Sequence, residues 1–551
     1  MRGAGRARHR LREAGRVRPP DAGPDVRLRR ERRGARAQGH YRGSRRSGSS
    51  ARNGRVQDAS SGHWRTRQVV CAERDGLAAV DRADAGRDSG RHGGDRRGRR
   101  HQRRPAGGAD ARRLRPGRAG ARPGAAGCDA RAGARERGGA AVSAPGKDAA
   151  LGPGGAAVTP EQARVVLPGA TVGVLGGGQL GRMLALAGSA MGYRFVALDP
   201  TEDGPAAQVG GGIRAAYDDR EAARELAERC DVITYEFENV DAGVAAMLME
   251  QSYVPQGSEL LYTTQPRLRE KRAVEAAGAR VAPYAEIRSE DELREAAARL
   301  GLPAVLKTAT GGYDGKGQWV IRSEEEIPAA YAELSRAGTD LVLEQFIRFA
   351  KELSVVAARS SLGEVRAFPA AENVHVDNIL HLSIVPARVA PDVLAEAERL
   401  ALRIVEQLGA VGLVAVELFL TEDGELYVNE LAPRPHNSGH YTMEACRTSQ
   451  FEQHVRAVCG LPLGDPSLLS PVVMANLLGQ HVEPAIARLS VRDSEAERLG
   501  VAPKLHLYGK AEAKPGRKMG HVNVLAPDAD AALAWIQGTG IWQAENEAIG
   551  S

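Results

Sequence analysis

The chain has 551 residues, with 76 Lys and Arg against 69 Asp and Glu and a formal net charge of +7. That average hides two unlike pieces: residues 1–140 hold 38 Arg, no Lys and 14 acidic residues, which leaves 38 basic against 55 acidic residues in the rest. The body is therefore acidic, so the overall charge is no argument for a nucleic-acid partner.

Length as a prior allows about three or four domains. No stretch approaches the ~20 apolar residues of a membrane span, and no short apolar core follows the basic N-terminus as a secretory signal requires. Cys71, Cys128, Cys230, Cys446 and Cys459 are scattered, odd in number and without metal spacing. A reduced cytosol is the simplest reading of that pattern.

Residues 1 to about 141 are rich in Arg, Gly, Ala and Pro and show neither helical nor strand period. Such a segment buries too little apolar surface to offset the entropy of ordering, which makes it non-globular. An RNA-binding arm and an organelle transit peptide are two readings of it. A third fits better, because Arg without Lys beside Gly, Ala and Pro is what GC-rich DNA yields in a non-coding frame, and Met is absent between Met1 and Met183. With suitable codons read one nucleotide later, VVCAERDGLAAVDRADAG (Val69 to Gly86) spells SSALNGMDSLLSIVQMP, and PPDAGPDVR (Pro19 to Arg27) spells RRTPDLMF. Both strings resemble segments of the N5-carboxyaminoimidazole ribonucleotide mutase. The expectation is an upstream gene read out of frame, with the functional start near Val142.

From Thr171 strands and helices alternate. TVGVLGG is an apolar strand entering a glycine turn, and QLGRMLALAGSAMG has the i, i+3, i+4 pattern of a helix. YRFVALD and DVITYEFENV supply further strands, so the region is an α/β unit with a parallel sheet. PRLREKRAVEAAG is helical, and SEDELREAAARLG opens on the capping pair Ser289 and Glu292. PAVLKTATGGYDGKGQWVI reads as strand, glycine loop, strand; LVLEQFI is another strand; Val414 to Glu430 is a hairpin around Asp423–Gly424.

Four motifs carry chemistry. Gly176, Gly178 and Gly181, with Asp199 ending the next strand, match a dinucleotide fingerprint. Their physical content is only a tight turn and a helix N-terminus that attracts an anion, so NAD, another phosphate and plain packing all remain open. Gly311 to Gln318 lies between strands, where glycines admit phosphates to the backbone and Lys316 adds charge; a solvated surface hairpin is the alternative. Lys307 stands on the strand before it. Glu417 and Glu430 lie on the paired strands of the hairpin with Asn429 adjoining, a set of hard oxygen ligands suited to Mg²⁺ on nucleotide phosphates. Finally Arg434 and His436 lie in a dense polar run after a buried strand, able to hold an anion and to exchange a proton.

With GGGQLGRM, YEFENV, GGYDGKGQ, NELAPRPHNSGH and PGRKMGHVN in this order between about Thr171 and Trp542, the chain resembles the N5-carboxyaminoimidazole ribonucleotide synthetases of the ATP-grasp superfamily. The resemblance implies an ATP-grasp fold: a Rossmann-like parallel-sheet domain over 165–265, an ATP-grasp domain over 266–470 with a lid at about 289–350, and a small β-rich C-terminal domain over 471–545. It implies ATP contacts at Arg267, Lys307, Gly312, Tyr313, Asp314, Gly315, Lys316, Gly317, Gln318, Glu344, Gln345, Phe346, Ile347, Glu352, His375, Asn429 and Glu430. Glu417 and Glu430 would hold Mg²⁺ (or Mn²⁺). Gly178, Gln179, Leu180, Tyr313, Asp314, His436, Lys510 and Arg517 would hold the ribonucleotide, and Arg434, His436 and Lys316 would act in catalysis. Thr308–Ala309 replaces a pair common in the family.

The activity implied is carboxylation of aminoimidazole ribonucleotide with ATP and bicarbonate, by a cytoplasmic homodimer without nucleic-acid or membrane partners. The mutase would be its pathway neighbour. A dehydrogenase would leave the flap, the carboxylate hairpin and the His-containing loop unexplained; another ATP-grasp ligase is the nearer alternative. For the N-terminal segment, mass spectrometry of the native protein is expected to find no peptide preceding Val142, and any such peptide defeats the frame-shift reading.

Overall fold

The computed structural model describes residues 155–550 apart from 239, 312–315 and 339. The segment 1–141 and the flap residues Gly312, Tyr313, Asp314 and Gly315 thus lie outside the described residues. Strands of the described residues assemble into three sheets.

The first is parallel, in the order Gly211–Arg214, Arg194–Asp199, Thr171–Leu175, Val232–Tyr235. A parallel strand covered on both faces reads as an unbroken apolar run, and every residue of Thr171–Leu175 is buried. Val172 and Val174 pack with Leu180, Met183 and Leu184 of helix Gln179–Ala190. On the other face Leu175 packs with Ala223 and Leu226 of helix Arg220–Arg229, whose first turn is capped by the Asp219 carboxylate.

A second, antiparallel sheet orders Tyr284–Ile287, Leu341–Gln345, Ala304–Thr308 and Gln318–Ile321. Helices Glu290–Leu300 and Ile327–Leu334 close a core of its own around Leu293, Leu306, Ile321 and Leu343. The Ser289 hydroxyl caps its helix as expected, but Glu292 reaches back to the Arg288 N–H and so makes only half of the reciprocal box.

The third sheet is antiparallel and nine-stranded. It runs Leu426–Ala432, Gly412–Leu420, Lys351–Arg359, Ala371–Val376, Ile379–Val385, Val472–Leu478, Lys518–Leu525, Ala502–Leu507, with Val365–Ala367 beside Lys351–Arg359. The last three strands in sequence therefore extend the same sheet rather than build another. Helix Pro391–Gln407 covers one face through Ala397, Leu400 and Ile404 against Val414, Val416 and Leu418. The alternate residues Leu413 and Ala415 pack with Ala457 of helix Gln450–Val458, while Phe451 and Val455 of that helix reach Leu184 and Tyr193. One helix thus locks the parallel sheet onto the large one.

The glycine turn after Leu175 is shaped by a buried carboxylate. Gly176 has φ +108°, and a Cβ there would lie 2.5 Å from Cγ of Glu236. Gly176→Ala therefore meets both a left-handed backbone and a clash. It is expected to lower stability by about 1–3 kcal/mol, read as a shift of the urea unfolding midpoint; an unchanged midpoint would show that the turn has room.

Candidate active site

The acidic half of the site sits on the hairpin of Gly412–Leu420 and Leu426–Ala432, where Glu417 is directly opposite Glu430. Plain alternation would send Glu430 the other way, since Leu426 and Val428 both pack into the core on the helix side. The register breaks between them: Glu417 faces Glu430, but Leu418 faces Val428, which makes Asn429 the extra residue of a β-bulge. Past the bulge Leu431 takes the core-facing place, and Glu430 turns to the face of Glu417.

Two carboxylates so placed repel, and each is met by a nitrogen-bearing side chain from outside the hairpin. Arg267, opening helix Arg267–Ala276, donates from Nη1 to Glu430 Oε2 at 3.2 Å, and its backbone N–H is tied to the Ala309 carbonyl at the base of the flap. His436 Nε2 lies 3.1 Å from Glu417 Oε1. Burial opposes charge on Glu417, but His436, His375 and Arg434 outweigh it and hold this carboxyl well below its usual range. Behind them Glu270 accepts the Leu431 N–H; burial and the neighbouring Glu430 push it up to about 8.

On the lid side, Glu344 is buried between two lysines, with Lys271 Nζ 3.2 Å from Oε1 and Lys307 Nζ 3.0 Å from Oε2. Burial draws Lys307 down, Arg267 and Lys271 add to that, and Glu344 resists it. The side chain of Gln345 turns away to the Leu300 carbonyl, leaving Phe346 and Ile347 as the half-buried apolar side chains of this segment. His375 Nδ1 and Glu352 Oε2 come together at 2.9 Å. Of the described flap residues, Lys316 is exposed, the Gly317 carbonyl accepts the Thr308 N–H at 2.9 Å, and Gln318 pairs with Lys307.

Arg434 is not a free anion clamp. Its Nε and Nη2 grip the two oxygens of Glu238, the latter at 3.1 Å, and Nη1 donates to its neighbour's carbonyl at 3.2 Å. An anion would have to use what remains of the Nη edge.

At the glycine turn, Gly178 and Gly181 donate to the Glu236 carboxylate at 2.7 and 2.9 Å, and Gly177 donates to Asp199 at 2.8 Å. The amides that would receive a dinucleotide pyrophosphate are thus satisfied by the chain's own acids. Burial pushes Glu236 up to about 7 despite those donors. Gln179 and Leu180 start the helix behind them. Lys510 lies within electrostatic reach of Glu236 and is itself drawn down to about 8 by burial and by Arg517 and Lys518. Its loop is held to the parallel-sheet domain by Gln208 Nε2 donating to the Gly509 carbonyl at 2.9 Å. Arg517 is exposed and donates to the Glu512 carbonyl.

The structure therefore gathers Arg267, Glu417, Glu430 and His436 in one cluster, Lys307 with Glu344, Glu352 with His375, and the Gly178–Leu180 turn, through Glu236, with Lys510. Reading the sequence missed Glu236, Glu238, Glu270, Lys271 and Lys518. The acid pair in YEFENV, at the end of an apolar strand, was the available signal for the first two. As to a divalent cation, no group of three or more His, Cys, Asp or Glu is arranged to hold one among the described residues. Two opposed carboxylates with a neighbouring amide oxygen still fit Mg²⁺, which is commonly bound by one or two carboxylates and completed by substrate phosphates.

Three family models match successive stretches between residues 169 and 534: a ribonucleotide synthetase preATP-grasp domain over 169–265, an ATP-grasp domain over 272–451, and a phosphoribosylaminoimidazole carboxylase C-terminal domain over 472–534. The N5-carboxyaminoimidazole ribonucleotide synthase of Bacillus subtilis strain 168 is 52% identical over 375 residues, covering 68% of this chain and 95% of that protein. The chain belongs to the N5-carboxyaminoimidazole ribonucleotide synthase family. The synthetase of Staphylococcus aureus complexed with ADP superposes with a TM-score of 0.64 at 40% identity, over 68% of this chain and 98% of that one. The synthase of Aspergillus clavatus, complexed with ADP and 5-aminoimidazole ribonucleotide, gives 0.63 at 33% identity over 69% and 98%. Membership in this family removes the dehydrogenase reading of the glycine turn, in agreement with the acids already seated there.

Glu270 generates a pH prediction for this synthase-family fold. Its folded pKa of about 8 lies above the ordinary carboxyl value of 4.5, so between those values the folded chain holds a proton that the unfolded chain has lost. Stability contributed by this group is full at low pH and declines as pH rises through that window. Glu270→Gln keeps an acceptor for Leu431 and is expected to flatten the fall of the urea midpoint between about pH 5 and pH 8. Parallel pH profiles of variant and wild type would contradict the assignment.

Proposed function

We propose that the chain carboxylates 5-aminoimidazole ribonucleotide to N5-carboxyaminoimidazole ribonucleotide, using ATP and bicarbonate and releasing ADP and phosphate, in de novo purine synthesis. The observation that carries this reading is the bulge-turned pair Glu417 and Glu430, flanked by Arg267 and the Lys271–Lys307 pair on one side and by Arg434 and His436 on the other. It is a phosphate-transfer apparatus with an anion-holding group beside it.

An oxygen of bicarbonate attacks the γ-phosphorus, and the bond to ADP breaks. Arg267, Lys271 and Lys307 spread the charge that develops on the phosphoryl oxygens. Mg²⁺ held by Glu417 and Glu430, with Asn429 beside them, would neutralise phosphate charge there when bound. The carboxyphosphate formed is destroyed by water, so closure of the lid and its glycine flap over the site is needed to protect it. The exocyclic amine then takes the carboxyl group, phosphate leaves and the amine loses a proton. Arg434 and His436 hold bicarbonate, while Lys510 and the turn at Gly178–Leu180 hold the ribonucleotide end. A cytosolic homodimer whose product passes to the mutase is part of this proposal, as the resemblance implies; no helix of the described residues is long and apolar enough to cross a membrane.

Replacing Glu430 by Gln keeps the size of the side chain and removes its charge. The expected result is a loss of at least about a hundredfold in ADP release dependent on both bicarbonate and aminoimidazole ribonucleotide, the scale for removing one electrostatic stabiliser. Turnover unchanged by the substitution sinks the metal assignment. Wild-type ADP release driven by formate or an amino acid instead of bicarbonate would point to a different ATP-grasp ligase.

A further inference from the structure

Beyond His436 a line of buried polar groups crosses the central sheet and is used by no step above. Ser354, Asn373, Ser383 and Ser438 are each less than a tenth exposed. Ser383 Oγ donates to Asn373 Oδ1 at 2.8 Å, and Asn373 Nδ2 donates to Ser354 Oγ at 2.8 Å. Ser354 Oγ donates in turn to Ser438 Oγ at 2.7 Å, and Ser438 Oγ lies 2.8 Å from His436 Nδ1. The line leads back to the carboxylate pair, because Ser354 is the cross-strand partner of Glu417 on the side away from Glu430. His436 therefore spans two neighbours on one sheet face, with Nε2 to Glu417 and Nδ1, through Ser438, to Ser354.

A polar network so deep in a sheet is costly unless every member is satisfied. The Glu417 carboxylate sets the direction, because it can only accept and it faces Nε2 at 3.1 Å. The hydrogen of a neutral ring then sits on Nε2, toward Glu417 and the reaction space, and Nδ1 is left to accept the Ser438 hydroxyl. The donations from Asn373 to Ser354 and from Ser354 to Ser438 run in that same sense. We infer that Ser438, Ser354 and Asn373 are positioning residues that fix His436 as an Nε2–H donor, so that it grips bicarbonate by a hydrogen bond rather than taking its proton as a base. This rests on His436 working in the carboxylation proposed above.

The direct test is the ¹⁵N signature of His436 in the full-length protein, assigned by its loss in His436→Asn. An unprotonated Nδ1 that accepts a hydrogen bond beside a protonated Nε2 is expected; a protonated Nδ1 in the wild type overturns the inference. Kinetically, Ser354→Ala and Ser438→Ala are expected to lower kcat about tenfold to a hundredfold, the range seen when outer partners that orient a histidine are lost. KM for ATP should stay unchanged while that for bicarbonate rises, and Ser354→Thr, which keeps the hydroxyl, should recover most of the loss. Equal losses in Ser354→Ala and Ser354→Thr, or neither alanine variant differing from wild type by more than about twofold, overturn it. A wild type that releases no ADP with bicarbonate and aminoimidazole ribonucleotide would instead sink the carboxylase reading, while the tautomer readout would still report on the hydrogen-bond line.

Discussion

Glu417 and Glu430 face one another across paired strands, and their mutual repulsion is the constraint around which the rest of the site is arranged. Like charges directly opposite destabilise a sheet, so the hairpin survives only with compensation from outside it. Arg267 comes from the helix that begins the ATP-grasp region, and His436 from the loop after the second strand. Glu270, third in the acid cluster, is pushed toward its neutral form. The low-dielectric surroundings that make each unpaired charge expensive also make it strong. A charged phosphate and its cation bound here would replace part of this internal compensation, which is how a site can be stable when empty and still bind a polyanion.

The same logic accounts for the glycine turn. A helix N-terminus with three glycines before it is an anion site by construction, and a chain that needs no dinucleotide must do something with those donors. Here Glu236 fills them from the neighbouring strand, at distances that only glycine at 176 and 178 permits. The fingerprint is thus genuine as geometry and misleading as chemistry. A sequence pattern records that a backbone must come close to an acid; it does not record whether the acid is a cofactor or a side chain.

What was legible in the sequence was local. The hairpin at Asp423–Gly424 announces itself by alternation and turn chemistry, and the parallel sheet by short apolar runs separated by helices. The fact that Glu417 and Glu430 share a face was legible as a possibility only, because the bulge at Asn429 that decides it leaves no mark in composition. Glu236 and Glu238 stood in a quoted motif without a role, since their partners lie 55 to 196 residues away. Lys271 is one of several charged residues in a helical stretch, and only the fold brings Glu344 between it and Lys307. The extension of the central sheet by Val472–Leu478, Lys518–Leu525 and Ala502–Leu507 was likewise invisible, because pairing between distant strands is set by packing rather than by either strand alone.

That extension bears on how the enzyme moves. Lys510 hangs from the loop between two strands of the sheet that also carries Glu417 and Glu430, and Gln208 ties the loop to the parallel-sheet domain. The helix Gln450–Val458 packs against both. Glu417, Glu430 and Lys510 are therefore joined by a continuous hydrogen-bonded sheet and a shared core. The lid sheet is built differently: it closes a core of its own, and its polar ties to the body include the Lys271–Glu344 ion pair and the Arg267 N–H donated to the Ala309 carbonyl. In the carboxylation proposed above, exclusion of water would then fall to the lid, because the sheet that carries the carboxylates shares its core with the parallel-sheet domain. The hydrogen bonds that hold His436, through Ser438 to Ser354, lie in that central sheet and not in the lid.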